Sequence, residues 1–261
     1  MTEIPKRSKI ERYLLDIMTS MKKAIGRIEK GLSTYENFIQ TYKYRNKYIR
    51  CLFINAYNHF LSAYILSQKG LKTQCFNSLR MGLESEWIGI CLDKDIELAM
   101  HWAFGIGQEK NNKKLLRLEK PYELRKMLGD TKRIKIKDRN EIYRALSDAS
   151  HTKLASIAVY TGEVECIPLA GLRGAVNIIK TLEAVQFVQK FASAEIEEQL
   201  GYSFSETEWN FNRTDLMKIS QSGYGSGNGN IEPAITSQGR PGSDALQAVA
   251  LLDFIKKGRI E

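Results

Sequence analysis

The sequence predicts an all-α fold, a helical bundle carrying a small β-hairpin and a tethered C-terminal helix, and three observations lead there. Apolar residues recur at intervals of three and four over most of the first 200 positions, the period of helices with one buried face. A change of period is confined to Ile157–Tyr160 and Val164–Ile167, which flank Thr161-Gly162 and read as a hairpin near 156–168. Beyond Gly201 the composition shifts toward Gly, Ser, Asn and Pro before one last amphipathic segment. The chain therefore divides into a bundle domain over 1–200 and a C-terminal extension over 201–261.

In chain order, the first helix runs from Ser8 to about Lys30 on a stripe that includes Leu14, Ile17, Met21, Ile25 and Ile28. Gly31 reads as its stop, and Ser33 with Glu36 as a capping box that opens the next helix. That second helix extends to Gln68 with a bend or break near Tyr44 to Lys47. Its later half, Ile49 to Leu66, is apolar nearly all round and belongs in the centre of a bundle. Asn55 and His59 stand one turn apart there, readable as the wall of a polar cleft or as satisfied boundary residues. The mixture of Tyr42, Lys43, Tyr44, Arg45, Lys47 and Tyr48 reads as a surface for stacking a nucleic-acid strand or as a plain helix face with long side chains.

Gly70 closes the second helix. The third spans Lys72 to about Leu92, with Phe76, Leu79, Leu83, Trp87 and Ile90 as its core stripe. Arg80 and Glu84 fall at the edge of that stripe, an i,i+4 couple able to pair. A short helix from Asp93 to Phe104 follows, then a connection to Lys114 and a helix from Leu115 to Leu128 with a break or restart at Pro121. After the hairpin a long helix, about Ala175 to Leu200, closes the core. In the extension, Phe204 to Ser220 reads as one more helix. SGYGSGNGN reads as a flexible linker because it lacks the lysine and Ser/Thr of a phosphate loop. Asp244 to Lys257 is an amphipathic terminal helix whose apolar side needs a cover, on the bundle or on a protein partner.

Composition narrows the function classes. The net charge of +9 and pI near 9.2 favour anionic partners, nucleic acid first. Four cysteines, Cys51, Cys75, Cys91 and Cys166, stand far apart without a CxxC pair, which argues against a disulfide scaffold or a zinc site and for the cytoplasm. No apolar run approaches the length of a membrane span. No His-Glu metal spacing, nucleophile elbow or zinc-deaminase pattern occurs, so neither metal nor cofactor is expected.

The stretch that carries a chemical hypothesis is RNEIYRALSDASH, Arg139 to His151. Seven residues are close to two helical turns, so Arg144 and His151 would share one side of a helix about 10 Å apart. Ser147 and Asp148 fall between them, and Ile142, Ala145, Leu146 and Ala149 form the opposing apolar stripe. Two readings stay open. One is a solvated face in which Arg144 pairs with Asp148; the other is a phosphodiester site with a histidine as acid or base and an arginine gripping phosphate. Just upstream, Lys132, Arg133, Lys135, Lys137 and Arg139 place five cations within eight residues, a candidate track for a nucleic-acid backbone or a solvated linker.

An arginine followed after four to six residues by a histidine near a helix end resembles the signature of the HEPN superfamily of nucleotide-binding helical domains. Six residues intervene here, the long limit of that pattern. LSDASH together with the upstream SLRMGLESEW also resembles a group of bacterial helical proteins with an arginine-glutamate helix and a later Leu-Ser-x-x-x-His, over Lys72 to Gln199. The resemblance implies a metal-independent RNA endonuclease or RNA-binding effector of a toxin or antiviral defence system. Arg144 and His151 would be catalytic, Arg80 and Glu84 supporting, and the protein a homodimer whose two faces line one cleft. The competing expectation is a non-catalytic helical module that binds a protein or a nucleotide.

Overall fold

The structure, a computed structural model, describes residues 9–105, 109–150 and 170–204. The expected hairpin near 156–168, His151 and nearly all of the 201–261 extension lie outside the described residues. Among the described residues there are eight helices and no strand. They are α1 (Lys9–Thr41), α2 (Lys47–Gln68), α3 (Lys72–Lys94), α4 (Ile96–Phe104), α5 (Glu109–Leu118), α6 (Pro121–Leu128), α7 (Ile136–Ser150) and α8 (Ala170–Leu200). No helix among them is long and apolar enough to cross a membrane.

The expected stop at Gly31 and restart at Ser33 do not occur, because α1 is one helix of 33 residues. Ile28, Leu32, Tyr35, Phe38 and Ile39 continue one buried stripe across that point. Burial of these side chains outweighs the roughly 1 kcal/mol that a glycine costs inside a helix. The chain breaks after Thr41, next to the expected bend. Asn46 caps α2 by accepting the Tyr48 N–H at 3.0 Å. Asp93 holds the connection from the other side, accepting the Tyr42 hydroxyl at 2.8 Å and the Arg45 N–H at 3.2 Å. Tyr42 and Tyr44 turn onto Phe38 and Phe53, with ring centroids 5.2 and 5.6 Å apart, so this aromatic stretch packs the core instead of presenting rings to a strand.

Restart at Pro121 is observed: Pro121 is the first residue of α6, where its missing N–H has no helical partner to lose. Asp95, not Asp93, opens the short fourth helix, its carboxylate accepting the Leu98 N–H at 3.1 Å.

Two glycines let α3 lie against α2. A Cβ at Gly82 would come within 2.6 Å of the Phe60 ring, and one at Gly89 within 3.0 Å of the Phe53 ring. Phe53 and Phe60 are seven residues apart on α2, as are Gly89 and Gly82 on α3, and the order is reversed. The antiparallel pair therefore meets through two ring-on-glycine contacts, each two turns from the other. Trp87, Leu79, Leu83 and Ile90 complete the buried side of α3, and α8 closes the core with Leu182, Val185, Val188 and Phe191.

Polar groups sit inside this core. The Tyr35 hydroxyl of α1 donates to Glu86 of α3 at 2.8 Å, and both residues are buried. Burial is the main reason the Glu86 carboxyl is raised well above its ordinary range; the Tyr35 hydrogen bond opposes this and the charge of Glu195 adds to it. Glu195 in turn pairs with Arg139, Nε to Oε1 at 2.5 Å and Nη2 to Oε2 at 3.0 Å, with both side chains inaccessible to solvent.

Two measurements check this account. Gly82→Ala destabilises by about 1–3 kcal/mol, because the Phe60 ring must move, although alanine is the better helix former. Gly26→Ala, where nothing lies within 4 Å of the added methyl, instead stabilises by about 0.5–1 kcal/mol. Urea denaturation that ranks the two variants in the opposite order rejects the close-packing account. For Glu86, the folded chain keeps a proton that the unfolded chain releases above about pH 4.5, the ordinary value for this group. Its contribution is therefore fully present below that pH and is lost as pH rises toward the raised folded value. Glu86→Gln should flatten the fall in stability between pH 5 and 7, and superimposable curves for variant and wild type would show Glu86 ionised in the core.

Candidate functional site

The turn between α6 and α7 aims the candidate site. Gly129, with φ at +67°, ends α6 in a backbone conformation that L side chains rarely adopt. Asp130 accepts the Ile136 N–H at 2.8 Å, and Asp138 reaches back to accept the Lys135 N–H at 2.8 Å, the returning half of a capping box. Capping begins α7 at Ile136, three residues before the stretch singled out from the sequence.

Ile142 and Leu146 are buried, as the expected stripe requires. Arg144 is exposed, and Ser147 and Asp148 are half-buried on the other side. These three line a cleft of about 330 Å³ between α6 and α7. The structure thus brings together Arg144, Ser147 and Asp148, while His151 lies outside the described residues.

Four further residues line the same cleft, Tyr122 and Arg125 from α6 and Asn140 and Tyr143 from α7. Sequence reasoning missed all four. Arg125 is only 6% exposed, with its Cζ 4.2 Å from the centre of the Tyr143 ring and its Nε donating to Asn140 Oδ1 at 2.6 Å. Its Nη1 is buried without a hydrogen-bond partner. Burial lowers the pKa of this guanidinium, against the opposing pull of Tyr143 and Glu84. Its one textual signal is position: Arg125 follows Leu124 in a segment with Leu128, so it borders an apolar stripe.

Arg80 and Glu84 of α3 are not an ion pair with each other, and of the two Glu84 bonds a residue of the cleft. Glu84 accepts the Tyr143 hydroxyl at 2.8 Å, and Arg80 donates from Nη2 to Asn77 at 2.9 Å, its Nε buried without a partner. Burial, then the bond to Glu84, pushes Tyr143 up to about 12, so its phenol stays protonated and donates near neutral pH. His59, half-buried on α2, is lowered by burial and raised by the charge of Glu84. Its neighbour Asn55 donates to Ser85 Oγ at 3.1 Å, and Ser85 donates on to the Leu52 carbonyl at 2.9 Å. Glu84 thus stands between the cleft and the α2 face.

The basic run does not form one track. Arg139 is a core residue, gripped by Glu195 and by the Gly129 carbonyl at 2.5 Å, so it has no surface to offer a phosphate. Arg133 is bound to α8, with Nη1 2.9 Å from Glu197 and Nε 3.6 Å from Glu198. Lys135 donates to the Thr131 carbonyl at 2.6 Å. Lys132 and Lys137 are exposed, and Lys137 has Glu141 3.8 Å away. Only the two arginines of the run turn toward α8, because a carboxylate there meets each of them, which charge counting along the chain cannot detect.

Among the cysteines, Cys75 and Cys91 are buried and pushed up to about 12 chiefly by that burial, which leaves them unreactive thiols. Cys51, although it stands within the apolar stretch Ile49 to Leu66, is exposed. Among the described residues no three His, Cys, Asp or Glu side chains converge as metal ligands.

No protein-family model, no curated protein and no solved structure matches the chain.

Arg139→Ala strands the Glu195 carboxylate in the core and costs about 3–5 kcal/mol, whereas Lys137→Ala stays within about 0.5 kcal/mol. Chemical denaturation of both variants decides it; equal, small effects would mean that Arg139 is not a core anchor.

Proposed function

We propose that this protein is a metal-independent RNA endonuclease of the HEPN kind, acting at the cleft between α6 and α7. The observation that carries the reading is the placement of Arg144, exposed at the cleft beside Ser147 and Asp148 while the apolar side of the same helix is buried. The net charge of +9 supports an anionic substrate.

In this reading Arg144 grips a phosphodiester through its planar fork and neutralises the charge that grows on phosphorus-bound oxygens during reaction. The ribose 2′-oxygen forms a bond to phosphorus as the bond to the 5′-oxygen breaks, leaving a 2′,3′-cyclic phosphate and a free 5′-hydroxyl. His151, the next residue after Ser150 of α7, takes the 2′-hydroxyl proton or supplies one to the departing 5′-oxygen. Two copies pair so that both such faces line one cleft, and the protein serves as a toxin or defence effector. A non-catalytic module is the competing reading. It is favoured by the bonds that knit Tyr143 to Glu84 and Arg125 to Asn140, since those groups also serve the fold.

Purified full-length protein, incubated with single-stranded RNA in the presence of a chelator, is expected to cleave it and yield cyclic phosphate ends. Arg144→Ala and His151→Ala should each lower the rate by about 10²–10⁴ with little change in unfolding temperature. RNA bound but never cut would reject the nuclease and leave the binding module, and RNA cut equally well by both variants would reject Arg144 and His151 as the catalytic pair.

A further inference from the structure

The cleft holds more cationic machinery than one catalytic arginine needs. Arg125 lies at its inner wall, nine-tenths buried, with Nε committed to Asn140, its plane against Tyr143 and Nη1 without a partner. An unpaired donor on a buried cation is costly, more so than on a neutral group, unless an anionic acceptor meets it. The side chains lining the cleft carry two arginines and one aspartate, a net of +1 that matches the single negative charge of a phosphodiester.

A second feature points to what accompanies that phosphate. Tyr122 stands at the rim with 52% of its surface exposed, and the Lys126 ammonium lies 4.2 Å from its ring centre. A tyrosine backed by a cation at the mouth of a basic cleft is a platform on which a base of any sequence can stack. The cleft, at about 330 Å³, is near the lower end of the roughly 300–1,000 Å³ typical of small-molecule sites. That is room for one nucleotide unit and too little for a paired helix.

We infer that Arg125, Asn140 and Tyr122 form a nucleotide subsite beside Arg144, with Arg125 binding a backbone phosphate of single-stranded RNA and Tyr122 stacking the attached base. Asn140 fixes the guanidinium through Nε so that its Nη edge is presented to the phosphate. Tyr143, held by Glu84, supports the guanidinium plane from behind. The inference rests on the reading of the cleft as an RNA site, and it adds the residues that hold the strand next to the scissile bond.

The test uses the full chain carrying His151→Ala, so that RNA is bound and not cut. Fluorescence anisotropy with a labelled single-stranded oligoribonucleotide then measures affinity in this background. Tyr122→Ala should weaken binding about fivefold to tenfold and Arg125→Lys about tenfold, since lysine keeps the charge and loses the fork. Lys23→Ala, an exposed cation on α1, should change it less than twofold. Tyr122 is an exposed side chain, so its variant keeps the test decisive if Arg125→Lys fails to fold. Competition with adenosine 5′-monophosphate should succeed at concentrations at least tenfold below those needed with inorganic phosphate.

Binding within twofold of the parent for both cleft variants overturns the subsite, as does equal competition by phosphate and nucleotide or displacement by an acidic peptide. Failure here is separable from failure of the nuclease reading. Cleavage by the otherwise wild-type enzyme that is insensitive to Tyr122→Ala removes the subsite and leaves the nuclease. Binding that depends on Tyr122 and Arg125 without any cleavage by the wild-type chain removes the nuclease and leaves the subsite.

Discussion

The buried pair between Arg139 and Glu195 sets how α7 lies in the bundle. A guanidinium and a carboxylate with no solvent access tolerate almost no misalignment, because each lost hydrogen bond leaves a charge in a low-dielectric core. With Arg139 turned inward, the helical period turns Ile142 and Leu146 inward as well, and Arg144 falls outward. The residue that looked like the last cation of a surface track is the anchor that aims the cleft.

A similar economy runs through the rest of the polar interior. The Tyr35–Glu86 contact joins α1 to α3, and the Arg139–Glu195 pair joins α7 to α8, with the charge of Glu195 felt at Glu86. One carboxyl is driven toward its neutral form and the other meets an arginine. Two acids can therefore share one core without a second counter-ion. The ring-on-glycine contacts of α2 and α3 bring the backbones of those helices together, which places His59 near Glu84, and Glu84 in turn accepts the Tyr143 hydroxyl of α7. The cleft is thus fastened to the centre of the bundle through α3, and a change at Glu84 is felt on both sides of that helix.

Much of the fold was legible because helical period is a local property. The core stripe of α3, the buried side of α7 and the restart at Pro121 all follow from residue spacing within one segment. Errors arose where local punctuation competed with burial. Gly31 and the Ser33/Glu36 pair form a credible helix boundary, yet the apolar stripe through Leu32 and Tyr35 carried α1 straight across it. Tyr42 and Tyr44 read as a cationic, aromatic surface, but Phe38, one turn before Tyr42, and Asp93, 51 residues after it, drew them in.

The sequence by itself determined which residues are apolar at helical spacing, and hence that this chain forms a bundle with Arg144, Ser147 and Asp148 on the face opposite a buried stripe. Only the tertiary structure decided that Arg139 leaves the surface and Arg133 is tied to α8, that Arg125 and Tyr122 join Arg144, and that Glu84 answers to Tyr143 instead of Arg80. The physical reason is the range of the forces. Periodicity and capping act within a few residues, whereas a charge in a core must be met by a specific partner, and partners such as Glu195 for Arg139 stand 56 positions away.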